Sequence, residues 1–409
     1  MGGQIMPPVM GAVAFIMAET IGVPYVEIVK AAIIPAILYF VTAFWMVHLE
    51  AGRKHLIGLD KKDCPDPWAA VKTHWYLLLP LIGLVALLFS GYTPLFSGTI
   101  GLALTVILIF GAAVISGVKG TALRVIFWVL LGIACAGFLQ FGVTTFFVIS
   151  FVLIGTLIVA RRGQETRRIA LQALAEGARQ AVPVAVACAL VGVIIGVLNL
   201  TGVAAEFGGQ IIAIGRDNLF LALLLTMLTC LVLGMGIPTI PNYIITSSLA
   251  APVLLELGVP LIVSHMFVFY FGIMADLTPP VALACFAASP IAKERGLKIS
   301  FQALRVAIAG FVVPYMAVYA PALMLQTDSW LAVVYIVFKA LIAIGLWGAG
   351  AIGYLFGPLN WAERIFGVVA ASFLVLALPL TDEIGLAGAA ALVAWHLWRQ
   401  RRQARRAPA

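Results

Sequence analysis

Long apolar runs separated by short polar connectors extend along the whole chain. A helix needs about 20 residues to cross a hydrocarbon core about 30 Å thick. Runs of this order predict membrane-spanning helices near residues 31–49, 73–89, 96–116, 122–138, 143–160, 181–198, 303–323, 330–353, 364–380 and 385–398. The pattern therefore predicts an all-α, polytopic membrane protein.

Glycine and proline interrupt the apolar pattern in three places. The segments 219–257 and 261–291 are apolar but broken at 234–242 and 275–281, and residues 1–20 look like half of a third such segment, broken at 2–9. Backbone that leaves the helix inside lipid costs several kcal/mol per unsatisfied group, unless it is buried in protein or lines a wet cavity. Repeated breaks of this kind indicate a transport site.

The prolines in these breaks predict bare carbonyl oxygens. Proline lacks the N–H that would bond the carbonyl four residues earlier in a helix. Pro7, Pro8, Pro238, Pro279 and Pro280 are thus expected to free the carbonyls of Gly3, Gln4, Gly234, Ala275 and Asp276. Carbonyl oxygens beside Thr and Asn side chains suit Na⁺, and the half-helix that follows a break presents free N–H groups to an anion.

Composition and motifs narrow the function class. Hydrophobic residues make up 63% of the chain and charged residues 10%, which is far too apolar for a soluble globule or a disordered chain. The sequence contains no P-loop, so an ATP-driven permease is disfavoured. It also lacks paired catalytic motifs such as HExxH or GxSxG. A membrane-embedded enzyme and a non-transporting remnant or scaffold subunit stay open as alternatives.

The net charge of +8 comes from basic clusters between apolar runs. These clusters lie within residues 53–72, 119–124, 161–179, 293–305 and 399–406. Such clusters are typical of cytoplasmic loops, which places the C-terminus in the cytoplasm. We expect contact with membrane lipid and no nucleic-acid partner. The cysteines and histidines show no metal-ligand spacing, so we expect no cofactor and no metal other than Na⁺.

Three local features of the sequence lead to further predictions. The basic and apolar faces of 161–180 predict a helix lying along the membrane interface. Lys339 lies inside an apolar run, where a snorkelling or packing role is expected. Asp276 is the one acidic residue of its apolar stretch. It is either part of a functional site or a cap on the broken helix.

The interrupted motifs resemble a known family. GGQIMPPVMGAVAF (2–15), LGMGIPTIPNYIITSSLAAPVL (233–254), FGIMADLTPPVALACFAA (271–288) and FQALRVAIAGFVVPYMAVYAPAL (301–323) carry the resemblance. They resemble the large permease subunit of the tripartite ATP-independent periplasmic (TRAP) transporters, in the branch where the small and large permease subunits are fused. The resemblance implies an elevator-type, inverted-repeat ion transporter fold. Its second repeat would contain a re-entrant hairpin at 219–257 and a discontinuous helix at 261–291.

The resemblance also implies a function and a setting. It implies sodium symport of a small organic anion, such as a C4-dicarboxylate or a 2-oxoacid, across the bacterial inner membrane. A periplasmic solute-binding protein would deliver the anion. The family's first hairpin and its small subunit would precede residue 1, so the chain is expected to be N-terminally truncated. We therefore expect it to need a small permease subunit or a missing N-terminal half in order to transport.

The resemblance and the sequence pattern together predict the limits of the domains and the residues of the site. The expected parts are the end of the first repeat (1–50), a cytoplasmic connector (51–72), transmembrane helices with an interfacial basic helix (73–180), the second repeat (181–325), and C-terminal helices with a basic tail (326–409). The expected substrate and sodium ligands in the second repeat are Gly234, Gly236, Thr239, Asn242, Ala275, Asp276, Thr278, Pro279 and Pro280. Those of the first-repeat site are Gly3, Gln4, Pro7 and Pro8.

Overall fold

A computed structural model describes residues 2–8, 10–58, 60, 63–116, 118, 120–159, 164–376 and 379–404. The helices are α1 Gly2–Ile5, α2 Val13–Ile21, α3 Tyr25–Arg53, α4 Pro67–His74, α5 Leu79–Phe89, α6 Pro94–Ile115, α7 Thr121–Ala136, α8 Phe138–Phe141, α9 Thr144–Val159, α10 Gln164–Leu200, α11 Val203–Asp217, α12 Leu219–Leu233, α13 Thr239–Glu256, α14 Leu261–Met274, α15 Leu283–Ala292, α16 Gly296–Val306, α17 Ile308–Tyr319, α18 Trp330–Ile352, α19 Trp361–Leu376 and α20 Pro379–Ala404. Short 3-10 helices lie at Met10–Ala12, Trp75–Leu78 and Pro321–Met324. Within the described ranges, β structure is limited to an isolated bridge between Tyr354 and Pro358.

The predicted all-α, multi-pass character is confirmed. By length and composition, α3, α6, α10 and α18 can each cross a membrane. Two bent pairs raise the number of candidate spans to six: Pro67–Thr73 with Trp75–Phe89, bent by 77°, and α16 with α17, bent by 41°. Several other apolar helices, α12, α14 and α15 among them, have only 10–17 residues. At 1.5 Å per residue, helices of this length rise about 15–26 Å and are too short to span alone.

The chain forms two compact units. One comprises Pro24–Val26 and Asp60–Ala185, and its apolar core lies between α6 and α9 around Ile107, Phe146 and Leu157. The other comprises Met1–Val23, Glu27–Leu59 and Val186–Ala409. All three interrupted segments belong to this second unit.

Residues 164–200 differ from the two elements expected for them. An interfacial helix ending at 180 and a separate span from 181 were predicted, but α10 runs unbroken through both, with Pro183 inside it. Helical periodicity is continuous here, and a single proline removes only one backbone hydrogen bond. The helix α11, which follows, was not predicted as a separate element. Residues 160–163 and Lys119 of the predicted basic loops, Val9 of the first break and residues 405–409 of the tail lie outside the described residues.

The helices α12 and α13 form a hairpin. The Asn218 side chain caps α12 by accepting a hydrogen bond from the Leu221 N–H at 3.1 Å. A methyl group at Gly215, just before α12, would lie 2.9 Å from the Ala222 side chain of α12 and 2.7 Å from Leu257, just after α13. The start of α12 and the end of α13 are therefore adjacent. The connection at 234–238 lies at the opposite end of both helices.

The C-terminal helices α18, α19 and α20 pack as a bundle around Leu346, Ala371 and Leu392. Lys339 of α18 is 1% exposed, and its Nζ lies 2.8 Å from Asp382 Oδ1 of α20. The Tyr335 hydroxyl donates to the other carboxylate oxygen at 2.9 Å. Of the two roles predicted for Lys339, snorkelling is therefore wrong: the side chain packs inside the bundle, paired with a carboxylate 43 residues away along the chain.

Candidate functional site

The broken helix consists of α14, a turn over residues 275–281, and α15. The Thr278 hydroxyl donates to the Met274 carbonyl at 2.8 Å, which caps the end of α14. Ala282 has a left-handed backbone (φ 40°) where α15 begins. The buried Ser300 hydroxyl, on α16, donates to the carbonyl of Leu277 within the turn. The turn is thus held by side chains from inside and outside the broken helix.

The expectation of bare carbonyls is wrong for the second repeat. The Ala275 carbonyl accepts a hydrogen bond from the Thr278 N–H at 3.1 Å, and the Asp276 carbonyl accepts one from the Ala284 N–H at 3.2 Å. The Gly234 carbonyl accepts from the Asn242 side chain at 3.4 Å. The chain turns back on itself at each break and supplies new donors, as buried backbone generally requires.

Asn242, on α13, joins the hairpin to the broken helix. It is 2% exposed. Its Nδ2 donates to the Gly272 carbonyl of α14 at 2.8 Å and lies 3.4 Å from the Gly234 carbonyl at the hairpin turn. One amide group therefore holds carbonyls from both segments. Tyr243, the next residue, adds a second link, because its hydroxyl lies 2.8 Å from Nδ1 of His265 on α14.

Glycines make this close approach possible. A methyl group at Gly272 would lie 2.6 Å from Asn242 Oδ1, and one at Gly234 would lie 2.8 Å from Asn242 Nδ2. Contacts this short force a neighbour to move. Gly236 serves another purpose: its φ of +75° lies in the left-handed region that favours glycine in the hairpin turn.

The first break meets the hairpin turn. The Gln4 Nε2, on α1, donates to the Thr239 hydroxyl at 2.9 Å, and Thr239 is the first residue of α13. The structure thus brings together residues predicted separately for the first and second repeats. Gly3 is exposed, and Pro7 and Pro8 are half-buried in the turn that follows α1. Among the prolines of the second break, Pro279 is half-buried and Pro280 is exposed.

Three side-chain oxygens at this junction are buried and accept no hydrogen bond from the described part of the chain. They are Gln4 Oε1, Asn242 Oδ1 and Asp276 Oδ1. Segments 2–8, 234–242 and 272–282 contain no Lys, Arg or His, and Asp276 is their one ionisable side chain. The junction therefore offers unpartnered oxygen atoms and one acidic side chain, which is the chemistry of a small hard cation.

Gly272 and Ser300 were not among the predicted site residues. Gly272 is an isolated glycine in the apolar stretch FVFYFGIM, and an isolated glycine in a helical pattern can mark close backbone approach. Ser300 had no comparable signal, because its role depends on how α16 packs against the break.

Comparison with known proteins shows which family the chain is similar to. Residues 1–117 and 110–330 match the family model described as "Tripartite ATP-independent periplasmic transporter, DctM component". The match covers more than half of the chain and includes the junction and all three breaks. No curated protein and no solved structure matches the chain.

Proposed function

We propose a function from one premise: the chain belongs to the DctM component family of the tripartite ATP-independent periplasmic transporters. It is a multi-pass membrane permease component rather than an enzyme. We propose that it imports a small organic anion, such as a dicarboxylate or a 2-oxoacid, in symport with Na⁺. In this proposal it has an inverted-repeat, elevator-type fold in the bacterial inner membrane, with its C-terminus in the cytoplasm.

The observation that carries the sodium proposal is the set of unpartnered oxygens on Gln4, Asn242 and Asp276. A buried acceptor without a hydrogen bond is destabilising by about 1–3 kcal/mol. A cation that binds such oxygens recovers this free energy. Because Asn242 also holds the hairpin turn against α14, sodium bound there would order the surface that the anion contacts. Binding of either ligand would then favour binding of the other.

The anion would bind where helices begin beside the breaks. Helix α13 starts at Thr239 and α15 starts at Leu283, and the N–H groups that stay free at such starts attract negative charge. At α15 the Ala284 N–H is already bonded to the Asp276 carbonyl. No basic side chain lies in the three segments. The anion's charge would therefore be balanced by Na⁺ and backbone dipoles, which makes anion binding depend on sodium. Gly236, Thr278, Pro279 and Pro280 would shape the backbone on either side.

The family implies a tripartite system, in which we propose a periplasmic solute-binding protein and a small permease subunit as partners. Uptake of a radiolabelled anion panel would be measured in proteoliposomes containing the permease components and the binding protein. We expect uptake to require an inward sodium gradient and no internal ATP. Uptake that persists after the sodium gradient is dissipated would contradict sodium coupling.

Sodium binding by this chain can be tested without knowing the substrate. The purified protein would be heated in detergent with NaCl or with KCl at equal ionic strength, and ²²Na⁺ binding would be measured in parallel. We expect Na⁺ to raise the unfolding temperature and K⁺ to have a much smaller effect. Asn242→Leu keeps a similar side-chain volume and removes the oxygen, so the sodium response should weaken at least about tenfold.

Ser248→Ala is the matched control, because Ser248 is exposed on the same helix, α13, and bonds only locally to the Ile244 carbonyl. It should keep the wild-type sodium response. An unchanged response in Asn242→Leu would remove Asn242 from the site. Equal responses to Na⁺ and K⁺ in the wild-type protein would leave a non-coupled or scaffold role as the better description.

A further inference from the structure

A cleft of about 520 Å³ lies on the C-terminal bundle, beyond the residues that match the family. Its walls come from the start of α19 and the middle of α20, and they include Asn360, Glu363, Phe366, Ala391 and Trp395. The cleft thus has an apolar wall and a polar end. The polar end contains a charged side chain that is almost completely buried.

Glu363 supplies this charge, and its two carboxylate oxygens differ. Its side chain is 3% exposed. Oε2 lies 3.0 Å from the Arg399 guanidinium and accepts a hydrogen bond from the Asn360 N–H at 3.0 Å. Oε1 is buried and accepts no hydrogen bond from any described residue. One carboxylate oxygen is therefore left for a donor.

Arg399 carries the complementary unsatisfied group. Its terminal nitrogen contacts Glu363 and also donates to the Pro358 carbonyl at 2.6 Å. Its Nε–H is buried and has no acceptor within the described residues. Arg399 lies one turn after Trp395, which lines the cleft, so the two share a face of α20. Glu363 lines the cleft and Arg399 does not, so the free acceptor belongs to the wall and the free donor lies beside it on the partner of Glu363.

The residues around the cleft have the composition typical of a membrane edge. Trp361, Trp395 and Trp398 are 73%, 55% and 50% exposed. The Arg402 guanidinium lies 5.1 Å from the Trp398 ring. Exposed tryptophans beside basic residues are typical of the level at which lipid head groups lie.

We propose that this cleft binds a phospholipid with a primary ammonium head group, namely phosphatidylethanolamine. The ammonium group donates to Glu363 Oε1, the phosphate accepts from Arg399 Nε, and an acyl chain covers Phe366 and Ala391. A zwitterion matches this site because its ammonium group meets the Glu363 oxygen that accepts no hydrogen bond, and its phosphate meets the Arg399 N–H that has no acceptor. Phosphatidylcholine carries the same charges, but its quaternary ammonium has no N–H to donate.

The head group can be varied chemically while the protein stays wild type. Native mass spectrometry would measure retention of lipids with identical acyl chains and head groups of ethanolamine, N-methylethanolamine, N,N-dimethylethanolamine, choline or glycerol. Retention should fall as methyl groups are added, with phosphatidylcholine about tenfold weaker than phosphatidylethanolamine. Equal retention of these two lipids, or stronger retention of phosphatidylglycerol, would overturn the proposal.

Two variants locate the effect in the cleft. Glu363→Gln should abolish discrimination between phosphatidylethanolamine and phosphatidylcholine. Ala391→Trp fills the cleft from an exposed position and leaves the Glu363–Arg399 pair in place, so it should lower retention of both lipids. Glu383→Gln, an exposed acid on the same helix, is the control and should behave as wild type. Wild-type phosphatidylethanolamine retention in Ala391→Trp would exclude this cleft even if Glu363→Gln does not fold.

Discussion

Two regions of the chain bury polar groups among apolar helices, and they do so in opposite ways. In the bundle of α18–α20, Lys339 pairs with Asp382 at 2.8 Å and Arg399 with Glu363 at 3.0 Å. At the junction of the breaks and the hairpin, Asp276 contacts no described basic side chain in its own or the neighbouring segments. The bundle thus pairs its buried acidic and basic side chains with each other, although Glu363 Oε1 and the Arg399 Nε–H stay unbonded, whereas the acid at the junction has no such partner there.

This difference separates the stabilising role of the bundle from the ligand-binding role proposed for the junction. A buried ion pair is destabilising mainly when it loses one partner, since the remaining charge is then desolvated without compensation. An unpartnered acceptor is already destabilising and becomes favourable only when a ligand binds. Substitutions in the bundle should therefore change stability, and substitutions at the junction should change the response to ligand.

The largest effect is expected in the bundle. Among the described residues, Lys339→Met leaves buried Asp382 with the Tyr335 hydroxyl as its side-chain partner, so the variant should lose about 3–5 kcal/mol of stability. The double variant Lys339→Met/Asp382→Leu should regain most of it. The free energy of unfolding in detergent, measured for the single and the double variant, checks both predictions.

Lys30→Met is the control, because its pair with Glu27 is about half exposed (51% and 44%) and should contribute at most about 1 kcal/mol. Equal losses of stability in the single and double variants would show that the loss does not come from leaving Asp382 without Lys339.

An intermediate effect is expected where the hairpin meets α14. Gly272→Ala places a methyl group 2.6 Å from Asn242 Oδ1, which should destabilise the fold by about 1–3 kcal/mol and displace Asn242. The sodium-dependent rise in unfolding temperature should shrink as well. Gly209→Ala is the matched control, since its methyl group meets nothing within 4 Å. A normal sodium response in Gly272→Ala would show that the contact between Asn242 and α14 is not needed for binding.

The smallest effect is expected at the hydrogen bond between Gln4 and Thr239. Gln4→Ala, Thr239→Val and the double variant form a cycle whose coupling energy should be about 0.5–1.5 kcal/mol. Sodium or substrate affinity is the quantity to measure, because the contact joins residues predicted for the two repeats. A coupling energy near zero would mean that the two segments bind their ligands independently.

The sequence predicted most of the apolar helices and the two breaks of the second repeat, but not α11, the continuity of α10 or the bends at Trp75 and Ala307. Clusters such as Gly234–Gly236–Pro238 and Pro279–Pro280 impose local backbone restrictions that act wherever the chain places them. Hence the hairpin turn and the interruption after Met274 lie where they were expected. The family resemblance, which rested on the same motifs, is confirmed.

The hydrogen bonds at the site could not be predicted in the same way. Proline removes a donor, but the sequence does not show which other donor will replace it. The Ala284 N–H reaches the Asp276 carbonyl only after the turn has formed. The Asn242 amide reaches Gly272, and the Ser300 hydroxyl reaches Leu277, only after separate segments pack together. The pairing of Lys339 with Asp382 could not be predicted either, because nothing in the sequence around one residue identifies the other as its partner.

The two hydrogens of the Asn242 amide also restrict how the protein can move. They face carbonyls 38 residues apart along the chain, one in the hairpin turn and one in the broken helix. Sliding the hairpin past the broken helix would break the bond from Asn242 to Gly272 and the contact between Tyr243 and His265. We therefore expect the hairpin and the broken helix to travel as a single rigid body during a transport cycle, with the hinges located outside them.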